Sequence, residues 1–322
     1  MKRVILTGAT GFVGAKLARR LLEEGHEVHL FLRKEHSRWR IQSIKDAVGI
    51  HIIDLGDRET VEQVVASIHP DWIFHLAAYG AYSSQTNFST MAETNLVATV
   101  NLVDACVKAG FEAFINTGSS SEYGYKDHAP SEQDWLEPNS SYAVTKAAAT
   151  HYCRFTALAK NVNLATLRLY SVFGPYEEPT RLIPSLIVEG LEGKLPPLVN
   201  PNIARDYIYI DDVCQAYLLA ASRPETIPGK VYNIGSGVQS SLREIVETTR
   251  QALPISVEPS WGSMPNRQWD TASWVANIHQ VTQELGWNPR YLFKDGLRNF
   301  IDWLVSNPDM LHFYQTNRNL PH

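Results

Sequence analysis

The 322-residue chain has only three cysteines, Cys106, Cys153 and Cys214, far apart and each in apolar, helix-like surroundings. An odd, unclustered set provides neither a disulfide framework nor a zinc site, and a reduced, cytoplasmic setting is expected. No run approaches the eighteen apolar residues of a membrane span, and the apolar start of MKRVILTGATG is broken by Gly8 and Gly11, which excludes a secretory signal. The eleven histidines lack HxxxH and HxH spacings, so no metal is expected. Negative charge is in only small excess: the formal net charge is −5, which predicts no broad attraction to nucleic acid or anionic membrane. An anionic ligand must then be held by a few placed cations.

What is present is an alternating pattern. Val4-Ile5-Leu6, Val28 to Leu32, Gly49 to Ile53, Trp72 to Leu76, Ala113 to Ile115 and Leu164 to Leu167 read as buried strands, and 12–24, 58–68, 91–109 and 141–160 as helices. Strict strand–helix alternation requires crossover connections, which predicts an α/β fold, a Rossmann-type doubly wound parallel sheet over residues 1–172. Beyond that point Pro and Gly become frequent and elements shorter. Residues 173–322 are expected to form a smaller C-terminal α/β substrate-binding domain that packs closely on the first, with some chain crossing between the two.

Glycines 8, 11 and 14 fall between the first strand and first helix, where they permit a tight turn, close approach to a pyrophosphate and helix–strand packing. The spacing is GxxGxxG. At the end of the second strand, an acid would bind the ribose of NAD, whereas an arginine accommodates the 2′-phosphate of NADP. Arg33, Lys34, Arg38 and Arg40 cluster there, so NADP(H) is favoured over NAD(H), with Glu35 the residue that would serve NAD. Asp54, followed by Leu55 after the third strand, is placed to accept from an adenine amine; a helix-capping Asp would look the same. Tyr142 and Lys146 lie four apart at the start of a helix. With 14 tyrosines and 11 lysines, about half of one such pair arises by chance, so the pair needs its context.

That context is a series of motifs in order: TGATGFVG at the N-terminus, DL at 54–55, HLAA at 75–78, TGSSSEYG at 117–124 and YAVTK at 142–146. Together they resemble the extended short-chain dehydrogenase/reductase family that modifies nucleotide-activated sugars, over essentially the whole chain. The resemblance implies that Gly8, Thr10, Gly11, Phe12, Val13, Gly14, Arg33, Asp54, Leu55, Leu76, Ala77 and Ala78 contact the dinucleotide, with Tyr142 and Lys146 at the nicotinamide end. It makes Tyr142 the acid–base group, Lys146 the ammonium that lowers its pKa and holds the nicotinamide ribose, and Ser119 the hydroxyl that orients the sugar oxygen. Lowering a phenol by roughly 3 pKa units corresponds to about 4 kcal/mol. RDYIYIDDV at 205–213 and RQWD at 267–270 are similar to segments in which Arg205 and Arg267 would grip a diphosphate and Asp270 a ribose hydroxyl; ion pairs of Arg205 with Asp206 or Asp211 are the competing account.

Two departures from the family pattern matter. Ser171 stands where many members have a substrate-contacting Asn, and Ser120-Ser121 stand where 4,6-dehydratases carry Asp-Glu, with Glu122 one step late. Dehydration is disfavoured. The expectation is an NADPH-dependent 4-ketoreductase of a nucleotide-linked deoxyhexose, similar in FHLAAYGAYSS and RQWDTASWVANIHQVTQELGWNP to the CDP-abequose and paratose synthases. The alternatives are a 4-epimerase with tightly bound NAD, a reductase of a non-sugar ketone, and a non-catalytic cofactor sensor. Helices 91–109 and 141–160 are apolar over much of their surface and, by analogy with the family, are expected to make a homodimer.

Overall fold

In the computed structural model the described residues are 1–82, 84–263 and 273–318. Strands β1 (Arg3–Thr7), β2 (Glu27–Leu32), β3 (Gly49–Ile52), β4 (Trp72–His75), β5 (Ala113–Ser119) and β6 (Leu164–Leu169) fall where apolar runs occur. Between them lie α1 (Phe12–Glu23), α2 (Arg58–Ile68), α3 (Phe88–Ala92), α4 (Ala98–Ala109) and α5 (Ser141–Lys160). With a later strand, β9 (Val231–Ile234), they form a seven-stranded sheet in the order β3-β2-β1-β4-β5-β6-β9, parallel throughout. The order reverses between β1 and β4, and in open α/β sheets ligands bind at the carboxyl ends of strands at such a switch point.

Alternation along each strand divides the core into two layers. Val4 and Leu6 face one side with Ala113 and Ile115, against Leu17 and Leu21 of α1 and Val213 and Tyr217 of α7 (Ile210–Ser222). Ile5 and Phe114 face the other, against Val61 and Val65 of α2, Leu102 and Cys106 of α4, and Cys153 of α5. Both faces are buried, which is why these strands read as continuous apolar runs.

A second, three-stranded sheet has the order β10-β8-β7, from β7 (Ser171–Phe173), β8 (Ala204–Tyr209) and β10 (Gln239–Ser241). Helices α6 (Leu182–Leu191), α8 (Leu242–Ala252), α9 (His279–Leu285), α10 (Phe293–Ser306) and α11 (Pro308–Asn317) complete the chain. Their apolar residues Leu186, Ile245, Leu297 and Phe300 belong to the same buried layer as α1 and α7. Among the described residues no helix is long and apolar enough to cross a membrane.

One helix departs from expectation. The segment 91–109 is not continuous: α3 starts earlier, capped by Asn87 on the Thr90 N–H, and a π-helical turn at Glu93–Val97 separates it from α4. The wider turn turns Asn95 inward, where its amide donates to the Tyr79 carbonyl and the Thr145 hydroxyl and accepts from the Tyr79 N–H. These partners lie outside the helix, so helical periodicity could not reveal the interruption.

Candidate active site

The β1–α1 turn is shaped by contacts that exclude side chains. At Gly8 φ is +72°, and a Cβ would stand 2.5 Å from the Leu76 carbonyl carbon. A Cβ on Gly14 would meet the Gly8 carbonyl oxygen at 2.3 Å. Both positions therefore require glycine. Gly11 is the N-cap of α1 and provides no capping side chain, so the first N–H groups of the helix, from Phe12 and Val13 onward, are the orphan donors a pyrophosphate can take. Thr10 is half-buried in the turn, and its carbonyl accepts from Arg40 at 3.2 Å.

Across the switch point, Leu76, Ala77 and Ala78 leave β4. The Thr7 hydroxyl accepts from the N–H groups of Leu76 and Ala77, each at 3.1 Å, and fixes this exit against β1. The arrangement fits a dinucleotide: two backbone walls, a glycine floor and an open helix N-terminus.

Further along the sheet edge, Arg33, Lys34, Glu35 and Arg38 are exposed beyond β2. Arg40 differs from the expectation of a four-cation cluster. It is 5% exposed and bonds Glu178 at 2.8 Å and the Tyr176 carbonyl at 2.8 Å, so it ties α1's turn to the β7–α6 connection. Asp54 is exposed and its carboxylate takes the Gly56 N–H; the helix cap is Asp57, which bonds the Thr60 N–H. The capping alternative for Asp54 is thereby removed. Leu55 is half-buried, its carbonyl accepting from Asn101.

Ser119 ends β5, and Tyr142 and Lys146 occupy the first turns of α5, whose N-cap Ser140 accepts from the Ala143 N–H. Strand end and helix start bring Ser119 close enough to the Tyr142 phenol to favour its ionised form. Lys146 is 2% exposed on the same face one turn on.

Burial pushes the Tyr142 phenol up to about 12; Ser119 and, more weakly, Arg181 act downward, and Glu122 acts upward. The Lys146 pKa is lowered by burial, with Glu122 and then Cys153 opposing. The protein side chains alone thus leave the phenol protonated at neutral pH.

Glu122, fully buried, is paired with Arg168 of β6 at 2.8 Å and also accepts from the Ser119 N–H at 2.8 Å. Neither residue was assigned a role from sequence; the available signal was one cation inside the apolar strand LATLRL, which demands a buried partner. His75, in the HLAA motif, and Asn95 and Thr145 likewise support the site without having been singled out.

Ser171 opens β7, half-buried, beside Tyr207 of β8. On β8, Arg205 is half-buried with its guanidinium 5.0 Å from the Trp274 ring centroid, and Trp274 lines a small cavity with Ser120 and Tyr170. Arg205 therefore lies one side chain from the end of β5. Its proposed structural partners are engaged elsewhere: Asp206 accepts from the N–H groups of Ser236, Gly237 and Ala276, and Asp211 pairs with Lys16 at 2.9 Å. Arg267 and Asp270 lie outside the described residues. Among the described residues no cluster of three or more potential metal ligands occurs.

Comparison with known proteins gives these features a family. Residues 4–235 match the model of the NAD dependent epimerase/dehydratase family. MoeE5, solved in complex with UDP-glucuronic acid and NAD, is 31% identical over 94% of this chain and 99% of its own, with a TM-score of 0.82. The UDP-glucuronic acid 4-epimerase of Bacillus cereus, solved with UDP-glucuronic acid and NAD, is 26% identical over 94% and 99%, with a TM-score of 0.83. A dTDP-glucose 4,6-dehydratase of Streptomyces antibioticus is 26% identical over 94% of this chain and 92% of its own. With its glycine turn at the switch point of the parallel sheet, the chain belongs to the NAD dependent epimerase/dehydratase family of extended short-chain dehydrogenases/reductases.

Proposed function

We propose that this protein oxidises and reduces C4 of a nucleotide-activated hexose, and that its reaction is 4-epimerisation with NAD. The observation that carries the C4 chemistry is the placement of Ser119, at the end of β5, where it acts on the Tyr142 phenol in the first turn of α5, with Lys146 one turn on. A bound nicotinamide would supply the acceptance and return of hydride at C4. Tyr142 would take the proton from the C4 hydroxyl and give it back, Ser119 would hold that oxygen, and Lys146 would hold the nicotinamide ribose. Because burial raises the phenol to about 12, positive charge near it favours its activation: Lys146 would supply one, and an oxidised nicotinamide ring carries another.

Epimerisation is preferred over dehydration because Ser120 and Ser121 provide no acid–base pair and Glu122 is committed to Arg168 and the Ser119 N–H. It is preferred over net reduction because the withdrawal of Arg40 into the core leaves the case for NADP on Arg33, Lys34 and Arg38. The Bacillus cereus 4-epimerase and MoeE5 were both solved with NAD.

The second reading, an NADPH-dependent 4-ketoreductase, is favoured by exposed Arg33 at the end of β2. Arg205, with Arg267 and Asp270 of the RQWD segment, would bind the nucleotide diphosphate and ribose, and Ser171 would contact the sugar. A ketone without a nucleotide would have no use for the two arginines. We also propose a homodimer through α4 and α5: Val97, Phe155 and Leu158 are exposed there, whereas Leu102, Val103, Ala147 and Ala149 point into the subunit's own core.

A panel of UDP-, dTDP-, CDP- and GDP-linked hexoses and 4-ketohexoses, followed by nicotinamide absorbance and product NMR, tests these readings. An isomerised sugar without net redox change is expected. Net oxidation of NADPH would replace the epimerase with the reductase, and no turnover of any nucleotide sugar would overturn both.

A further inference from the structure

Glu122 is a full charge at the centre of the fold, held by three elements at once. Its Oε2 pairs with Arg168 Nε on β6 at 2.8 Å; its Oε1 accepts from the Ser119 N–H at the end of β5 at 2.8 Å and from the Thr150 hydroxyl on α5 at 3.1 Å. It also closes a capping box on the short 3₁₀ turn Ser120–Tyr123, in which the Ser119 hydroxyl accepts from the Ser121 N–H. Arg168 continues the network to the Tyr123 hydroxyl at 2.9 Å, which donates to Asn233 on β9 at 2.8 Å. Room for the carboxylate is made by Gly118, where a Cβ would stand 2.7 Å from Glu122 Oε1 and 3.0 Å from Arg168 Cγ.

Tyr142, Lys146 and Thr150 follow one another at i, i+4 and i+8, a single stripe on α5. The carboxylate that bonds Thr150 therefore sits against the stripe that carries Lys146 and Tyr142, and its charge acts on both. The ionisable groups that act on these two are Glu122, Cys153 on α5, His75 on β4, Arg181 at the start of α6 and Tyr217 on α7, whose phenol burial holds neutral. Burial holds the Cys153 thiol at about 12 and His75 at about 3, so both are neutral near pH 7. Glu122 is then the one full negative charge acting on Lys146 among the described residues.

We propose that Glu122, anchored by Arg168, is a positioning residue: it sets the Ser119 hydroxyl against Tyr142 and presents the charge that keeps the Lys146 ammonium protonated. The first half rests on the proposed C4 chemistry; the second concerns the chain alone. An aspartate cannot span from Arg168 to the Ser119 N–H, but retains the charge. A glutamine retains the acceptor for Ser119 and Thr150, but loses the charge. The two roles separate in the two variants.

The experiment is a ¹³Cε-lysine NMR titration of the cofactor-free protein, with the Lys146 signal assigned by its loss in Lys146→Met, alongside kcat and KM as a function of pH. In Glu122→Gln the Lys146 midpoint is expected to move to lower pH, and in Glu122→Asp to stay. Because Glu122→Gln strands a buried guanidinium, the double variant Glu122→Gln/Arg168→Met, which removes both charges at similar volume, repeats the test in a chain freed of that strain. Arg168 is bonded to Oε2 on the β6 side whereas Oε1 faces α5, so it offsets only part of the carboxylate's effect on Lys146, and a downward shift smaller than in the single variant is expected. In Glu122→Asp, kcat is expected to fall by about 10- to 100-fold with KM little changed, the loss typical of a displacement near 1 Å.

A Lys146 midpoint unmoved in both charge-removing variants would overturn the electrostatic half; wild-type kcat in Glu122→Asp would overturn the geometric half. If the wild type turns over no nucleotide sugar while the lysine titration shifts, the proposed function fails and the electrostatic assignment stands.

Discussion

The Thr7 hydroxyl and the His75 imidazole Nδ1 lie 2.8 Å apart, and the direction of that hydrogen bond is dictated by their neighbours. Thr7 Oγ1 already accepts two N–H groups, from Leu76 and Ala77, so its hydrogen must go to His75. On the other side Thr99 Oγ1 donates to the Asn95 carbonyl at 2.7 Å, so it must accept from His75 Nε2 at 2.9 Å. His75 is consequently neutral with its proton on Nε2. The relay runs on through Asn95 to Thr145, whose hydroxyl donates to the Tyr142 carbonyl. One buried chain of hydrogen bonds thus joins the exit of β1, the HLAA backbone, the π turn and the helix that carries the phenol.

Protonating His75 would break this relay. Burial, then the nearby Lys146 charge, lowers its pKa from 6.5 to about 3. A depressed folded-state pKa means the stabilisation is complete above pH 6.5 and is lost as pH falls toward 3, amounting to about 5 kcal/mol over that window. Urea unfolding at a series of pH values is expected to show this loss in the wild type and a flatter profile in His75→Gln, which cannot take up the proton. Equal slopes in the two proteins would contradict the assignment.

Tyr142→Phe removes the hydroxyl on which Ser119 acts and leaves the ring in place. Turnover of the nucleotide sugar is expected to fall by about 10²- to 10⁴-fold, with nicotinamide affinity nearly unchanged. Single-turnover kinetics and a fluorescence titration with the cofactor separate the two.

Arg33 is exposed at the carboxyl end of β2, where the adenosine ribose of a dinucleotide lies in this fold. Arg33→Asp is expected to lower affinity for NADP relative to NAD by at least tenfold, and the ratio of dissociation constants measures it. An unchanged ratio would detach Arg33 from the cofactor.

Phe155 and Leu158 are 66% and 61% exposed on α5. Phe155→Glu is expected to shift the protein from dimer to monomer in sedimentation at micromolar concentration. A wild type that sediments as a monomer would remove the α4–α5 interface.

How far the sequence reached depends on where each residue finds its partners. Strands β1, β2 and β4 and helices α2 and α5 follow local apolar periodicity, and their sequence-based bounds lie within a residue or two of the observed ones. Strand β5 runs on to Ser119 through Asn116, Thr117 and Gly118, a polar stretch that periodicity misses because its partners are lateral: Asn116 bonds Thr166, and Thr117 bonds Tyr217. Arg40 was grouped with Arg33 by proximity in sequence, which says nothing about which side of the chain faces Glu178, 138 residues on. Ser119, Tyr142 and Lys146 were legible as a motif. The Glu122–Arg168 pair, 46 residues apart, was not.

Glu177, in the connection between β7 and α6, is the acid whose environment least suits a charge. It is 8% exposed, its Oε2 has no hydrogen-bond partner, and burial raises its pKa from 4.5 to about 8, against the opposing charges of Arg181 and Arg40. A raised folded-state pKa gives stability that is complete below 4.5 and is lost as pH rises through 8, because the unfolded chain releases the proton more readily. Glu177→Gln replaces the protonated acid with a neutral group of the same shape. It is expected to be more stable than the wild type by about 2–4 kcal/mol at pH 8.5 and to differ little at pH 4.5. Thermal and urea unfolding at those two pH values provide the check, and a variant less stable at both would mean that the carboxyl is ionised and paired, with Arg181 its natural counter-charge.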